Sequence, residues 1–223
     1  MSDIKTLIAD GLWSKNPALI QLLGICPLLA ITTTLVNGLA LGLATTVVLI
    51  CTNSIVSLIR NALLPSVRIL IFVMIISSLV TTVDLLTNAF FHDLHEILGL
   101  FIPLIITNCT ILAQAESVAS RNSLGKSIIS GGSSGLGFTA VLVVLGGLRE
   151  IIGRGSLFSG LDMLLGDSAA NSFINFPFNG ALVAILPPGA FFGLAILIAL
   201  RNLSIPAATI NQKLDTGISE SPE

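Results

Sequence analysis

Residues 16–59 read NPALIQLLGICPLLAITTTLVNGLALGLATTVVLICTNSIVSLI, without one charged side chain. A helix needs roughly 20 residues to cross a hydrocarbon layer of about 30 Å, so this run is long enough for two spans. The sequence places the first near 17–36 and the second near 39–59, with the natural break at Asn37-Gly38. Working outward, a third span is expected at 69–91, carrying one interior charge, Asp84. The fourth lies between Glu96 and Glu116, the fifth between Lys126 and Arg149, and the sixth inside the charge-free run 168–200.

Composition agrees with that reading. Hydrophobic residues make up 53% of the 223 and charged residues only 10%, with a mean hydropathy of +0.98, well outside the range of soluble domains. The net charge of −2 is too small to favour nucleic acid or an acidic substrate as partner. The expected fold is an all-α integral membrane protein forming a single domain over 1–223. It has a first repeat at about 17–91, a second at about 97–201 and a polar tail at 206–223.

The start of the chain does not read as a cleaved signal peptide, because Asp3, Lys5 and Asp10 interrupt any apolar core there and no small-residue cleavage site follows. Ile4, Leu7, Ile8 and Leu12 share a helical face beside Trp13, which predicts a short helix lying on the membrane surface. One set of alternating loops holds Lys5, Lys15, Arg60, Arg68, Arg121, Lys126, Arg201 and Lys213, and the other only Arg149 and Arg154. By the positive-inside rule, this bias of eight to two puts both termini in the cytoplasm.

The two halves resemble one another. Moving 27 to 103 lays Pro27-Leu28-Leu29 on Pro103-Leu104-Ile105 and Thr34-Leu35 on Thr110-Ile111. Moving 42 to 135 lays Gly42-Leu43, Thr46 and Leu49 on Gly135-Leu136, Thr139 and Leu142. Three spans separate each pair, so the halves enter the membrane from opposite sides, as two inverted three-helix repeats.

The first and fourth spans are those that proline interrupts, at Pro27 after Gly24 and at Pro103 after Gly99. Proline removes a backbone donor and clashes with the preceding turn, so both should be broken helices. Paired breaks of this kind form ligand sites near the midplane of inverted-repeat membrane proteins. Cys26 and Cys109 lie one in each interrupted span. Two soft ligands at a midplane fit half of an iron–sulfur cluster, which takes four cysteines; the other two would come from a second copy of this architecture. The alternative on residues alone is that both thiols are small packing groups.

The strings GLWxxNPALIQLLGICPLLA at 11–30, PLIITNC at 103–109, LREIIGxGxLF at 148–158 and LPPGAFFGL at 186–194 closely resemble the E-subunit family of the Rnf electron-transport complex. This resemblance covers nearly the whole chain. The D subunit of sodium-pumping NADH:quinone reductase is similar around TNC but less so elsewhere, and is the alternative. The resemblance implies a bacterial inner-membrane component, inactive alone, of an oxidoreductase that moves electrons between ferredoxin or flavodoxin and NAD. That transfer would be coupled to Na⁺ or H⁺ movement. It further implies a [2Fe–2S] cluster shared with the oppositely oriented, homologous A subunit (RnfA), with Cys26 and Cys109 as this chain's ligands and no flavin here. The B, C, D and G subunits (RnfB, RnfC, RnfD and RnfG) would complete the complex. Cys51 lies outside these motifs and reads as packing.

Asp84 is a candidate for ion coupling, because an unpaired charge inside a span costs several kcal/mol. Arg149-Glu150 reads as an interfacial ion pair or an anchor for neighbouring proteins at the fifth span's outer end. His92 and His95 border the loop between spans three and four without the spacing of a metal site. Gly131-Gly132, Gly135 and Gly137 read as close helix packing, since no strand precedes them and no Lys-Ser/Thr follows. Two other classes remain open. A secondary transporter would place polar side chains at the breaks, and a scaffolding protein would tolerate loss of both cysteines.

Overall fold

The computed structural model describes residues 18–60, 67–90, 95, 99, 101–154, 156–157, 174–175 and 185–203. Helices α1 (Ile25–Ile31), α2 (Leu35–Ile59) and α3 (Arg68–Phe90) form the first half. The second half has α4 (Pro103–Ile106), α5 (Cys109–Gln114), a π-helical turn (Ala115–Ala119) and α6 (Leu124–Arg154), with α7 (Pro187–Leu203) last. Between α6 and α7, β1 (Ser156–Leu157) pairs antiparallel with β2 (Ile174–Asn175), a short departure from the all-helical expectation. The surface helix expected around Trp13, His92, most of the connection after Arg154 and the tail fall outside the described residues.

Among the described residues, three helices are long and apolar enough to cross a membrane: Leu35–Ile59, Arg68–Phe90 and Leu124–Gly153. They match the second, third and fifth expected spans, and α3 does so nearly residue for residue. The break before α2 differs from the expected one. It falls at Thr32–Thr34, where the Thr34 hydroxyl caps the helix by accepting from the Asn37 amide at 3.3 Å. Asn37 and Gly38 are helical, and Gly38 serves packing instead: a Cβ there would lie 2.9 Å from the Leu142 carbonyl oxygen.

Helices α2 and α6 form the centre and run antiparallel. A Cβ on Gly42 would stand 2.6 Å from Thr139 Cγ2, and one on Gly135 would stand 2.8 Å from Thr46 Cγ2. The hydroxyl oxygens of Thr46 and Thr139 lie 3.1 Å apart, and each is also within reach of the carbonyl four residues back, at 2.8 and 2.9 Å; with one proton each, when one hydroxyl donates across to the other, the second donates to its own carbonyl. Each contact between the two helices becomes its counterpart when 93 is added to one partner and subtracted from the other, and the bonds within each helix do so when 93 is added to both. The α2–α6 pair thus carries a local two-fold relation with the two threonines on its axis. Small residues let the backbones approach, the usual source of helix association where lipid removes the hydrophobic drive.

The core around this pair takes Leu28 and Ile31 from α1, Leu41 and Leu49 from α2, Ile105 and Ile111 from the second break, and Phe138 and Leu142 from α6. A smaller cluster of Val56, Phe72, Ala115 and Ala119 seats the π-helical turn against α2 and α3. Helix α3 leaves Leu70, Met74, Leu85 and Phe90 exposed, a surface suited to lipid or to a neighbouring protein.

Candidate functional site

The two proline-bearing segments hold only short helices, and the prolines start the pieces rather than split them. Pro27 lies in the first turn of α1 and Pro103 is the first residue of α4, where a missing amide donor costs nothing. The breaks themselves are the residues before Ile25 and the pair Thr107-Asn108.

These two breaks are in direct contact. Gly24, with φ at +74°, is in the left-handed region that glycine enters without strain. A Cβ there would meet Thr110 Oγ1 at 2.7 Å, Phe138 Cε2 at 2.8 Å and Asn108 Oδ1 at 3.0 Å, so only glycine allows the approach. The Gly24 amide then donates to Cys109 Sγ at 3.0 Å. Cys26 stands in the first turn of α1, and Cys109 opens α5 behind Asn108, whose Oδ1 accepts from the Thr110 amide at 3.0 Å. Both thiols are exposed, whereas Cys51 is half-buried in α2.

The 27-to-103 alignment places Cys26 on Ile102. The helices correspond better when 26 is moved to 109, which sets cysteine on cysteine, Leu29 on Leu112 and Ala30 on Ala113. Two exposed thiols on touching breaks supply two soft ligands, and one sulfur already receives a peptide N–H, as cluster sulfurs commonly do. Among the described residues no three His, Cys, Asp or Glu side chains cluster together, so a group held by Cys26 and Cys109 would need further ligands.

Arg149 and Glu150 are not at an outer surface. Both are buried, at 2% and 0% exposure. Arg149 Nη1 donates to Thr32 Oγ1 at 2.8 Å and to the Leu29 carbonyl at 3.4 Å; Nη2 donates to the carbonyls of Ile185, at 2.5 Å, and Leu186, at 3.3 Å. Glu150 Oε2 accepts from the Leu35 amide at 2.9 Å. The guanidinium therefore satisfies carbonyls at the C-terminal end of α1, and the carboxylate an amide at the N-terminus of α2. Each charge matches the sign of the helix end it meets. Charge pattern alone hid this role; the signal was the Thr32-Thr33-Thr34 break, whose freed groups needed partners.

Asp84 also differs from the isolated charge expected. His95 Nδ1 lies 3.4 Å from Asp84 Oδ1, and the aspartate side chain is 40% exposed. Gly131 and Gly135 do pack closely, against Asn53 and Thr46.

Residues 4–198 match the family described as "Rnf-Nqr subunit, membrane protein". The chain belongs to the Rnf-Nqr family. It is 56% identical over 205 residues to the E subunit of the ion-translocating oxidoreductase complex of Vibrio atlanticus, covering 91% of this chain and 89% of that one. The corresponding E subunits of Shewanella frigidimarina (54% over 208 residues, 91% and 89% covered) and Pseudoalteromonas atlantica (53% over 208, 91% and 88%) are similarly near. The open groove between α2 and α3, of about 500 Å³, is lined by Ile55, Ile71, Met74, Ile75, Ser78 and Leu79 and holds no charged side chain.

Proposed function

We propose that this chain is the E subunit of an Rnf-type ion-translocating oxidoreductase complex in a bacterial inner membrane. Cys26 and Cys109 hold one side of a [2Fe–2S] cluster whose other two ligands come from the homologous A subunit. The observation that supports this reading is the Gly24 amide on Cys109 Sγ, which ties the residues just before Cys26 to Cys109, with both thiols exposed. When bound, the cluster supplies one-electron transfer at membrane depth. The chain's own residues do the rest: the two thiolates bind, Gly24 donates to a sulfur, and Asn108 fixes the start of α5. The exposed thiols leave room for a facing partner.

The same proposal takes the chain as six spans in two inverted repeats, supported by the reciprocal glycine and threonine contacts between α2 and α6. An inverted partner related to this chain would present its own pair of breaks in the facing position, which is why a homologue suits the second half of the site. Both termini face the cytoplasm, and the B, C, D and G subunits carry the electrons to and from the shared site, between ferredoxin or flavodoxin and NAD. Ion movement, of Na⁺ or H⁺, is coupled to that transfer, with Asp84 as a candidate participant.

The test is anaerobic purification of the full chain alone and together with its homologue. The pair should show iron and a reduced-cluster resonance that the single chain lacks. Stoichiometric iron on the chain alone would overturn the shared site.

A further inference from the structure

An arginine from the long helix of the opposite half meets the end of α1, and another meets the connection that follows the helix begun at Cys109. We propose that Arg149 and Arg60 are positioning residues, a crossed pair of clamps that set Cys26 and Cys109 for their ligand. The proposal rests on the reading of those cysteines as cluster ligands.

Helix α1 has only seven residues and cannot hold its own shape; its C-terminal carbonyls would be orphaned in lipid. Arg149, from α6, answers this by donating to the Leu29 carbonyl and to Thr32 Oγ1, while Thr32 Oγ1 donates to the Leu28 carbonyl at 2.6 Å. Glu150 fixes the next element by accepting from Leu35 N. On the other side, the helix that starts at Cys109 runs through the π-helical turn to Ala119. The Asn122 carbonyl just beyond it accepts from Ser57 Oγ at 3.1 Å and from Arg60 Nη1, both at the end of α2. Packing alone calls for no guanidinium at either end, and burying that of Arg149 is costly unless it is fully bonded, whereas Arg60 is partly exposed.

The two clamps act over different lengths. Leu29 follows Cys26 by three residues, about 5 Å along a helix, so a shift at Arg149 reaches the thiol with no joint between. Asn122 lies more than three turns beyond Cys109, across a π-helical turn, so Arg60 should have the weaker hold.

The experiment uses the purified complex with Arg149→Lys, Arg149→Leu, Glu150→Gln and Arg60→Leu. Lysine keeps the charge but cannot fork between Leu29, Thr32 and the Ile185 carbonyl. Three properties are read: the resonance g-values of the membrane cluster, its midpoint potential, and maleimide labelling of Cys26 relative to Cys51 after iron is chelated. Arg149→Lys should assemble, shift g-values and potential, and speed Cys26 labelling. Arg60→Leu should shift the spectrum less. Wild-type spectrum, potential and labelling in Arg149→Lys would overturn the proposal, as would a lower melting temperature with the other readouts unchanged. If Arg149→Leu fails to assemble, Arg149→Lys and Glu150→Gln decide. A wild-type complex lacking the membrane-cluster signal would sink the ligand reading, and the labelling rates would still report whether Arg149 holds Cys26.

Discussion

Replacing Gly42 by alanine should loosen the centre of the molecule by a calculable amount. The new Cβ would stand 2.6 Å from Thr139 Cγ2, 2.8 Å from its Oγ1 and 3.0 Å from its Cα, where ordinary carbon contacts are about 3.5–4.0 Å. The helices must separate by roughly an ångström, and overpacking of this kind costs about 1–3 kcal/mol. Alanine's better helix propensity returns about 0.5–1 kcal/mol, leaving a net loss of up to about 2.5 kcal/mol. Because Gly135 meets Thr46 at nearly the same distances, Gly135→Ala should cost the same within about 0.5 kcal/mol. The double variant should lose less than the sum, since one separation relieves both clashes. Gly125→Ala is the control, with no atom within 4 Å of its Cβ; lying in α6, it should gain up to the propensity term of about 0.5–1 kcal/mol with no clash to offset it. The assay is the unfolding equilibrium of the purified chain in mixed micelles, followed by circular dichroism. Gly42→Ala and Gly135→Ala behaving like Gly125→Ala would refute the antiparallel α2–α6 contact.

Further tests address the rest of the molecule. Thr34→Ala removes the cap of α2 and should cost about 0.5–2 kcal/mol in the same assay; no change would mean that Asn37 finds another partner. Asp84→Asn weakens a half-exposed pair with His95 and should change stability by less than about 1 kcal/mol while leaving assembly and iron content intact. A fall in ion-coupled activity in that variant would tie the carboxylate to translocation, and unchanged coupling would leave it structural. An alkaline phosphatase fusion after Leu203 should be inactive under the proposed topology, in which the C-terminus faces the cytoplasm; an active one would reverse it.

Much of the architecture was legible because it follows from charge and spacing. Helix α3 is bounded by Arg68 and matches its expected limits, and the alignment of Gly42 and Thr46 on Gly135 and Thr139 anticipated the central contact. Glycine and buried charge were the ambiguous signals. Gly38 reads equally as a helix breaker or as a close-packing residue, and only the Leu142 carbonyl beside it decides. Arg149 and Glu150 ended a charge-free run and so resembled a membrane border, although they are buried partners of helix ends distant in sequence. Cys26 and Cys109 were legible as residues of two interrupted helices. That the two breaks touch is visible only in the fold, through a backbone amide that no sequence pattern displays.

The most direct test of the shared cluster is electron paramagnetic resonance and iron analysis of the reduced, purified complex carrying Cys26→Ser, Cys109→Ser or Cys51→Ser. Serine replaces a soft thiolate with a harder oxygen ligand of much higher pKa, which weakens iron binding. The Cys26 and Cys109 variants should assemble but lose the membrane-cluster resonance and its iron, while the Cys51 variant keeps both. A resonance that survives in either of the first two variants would contradict the account.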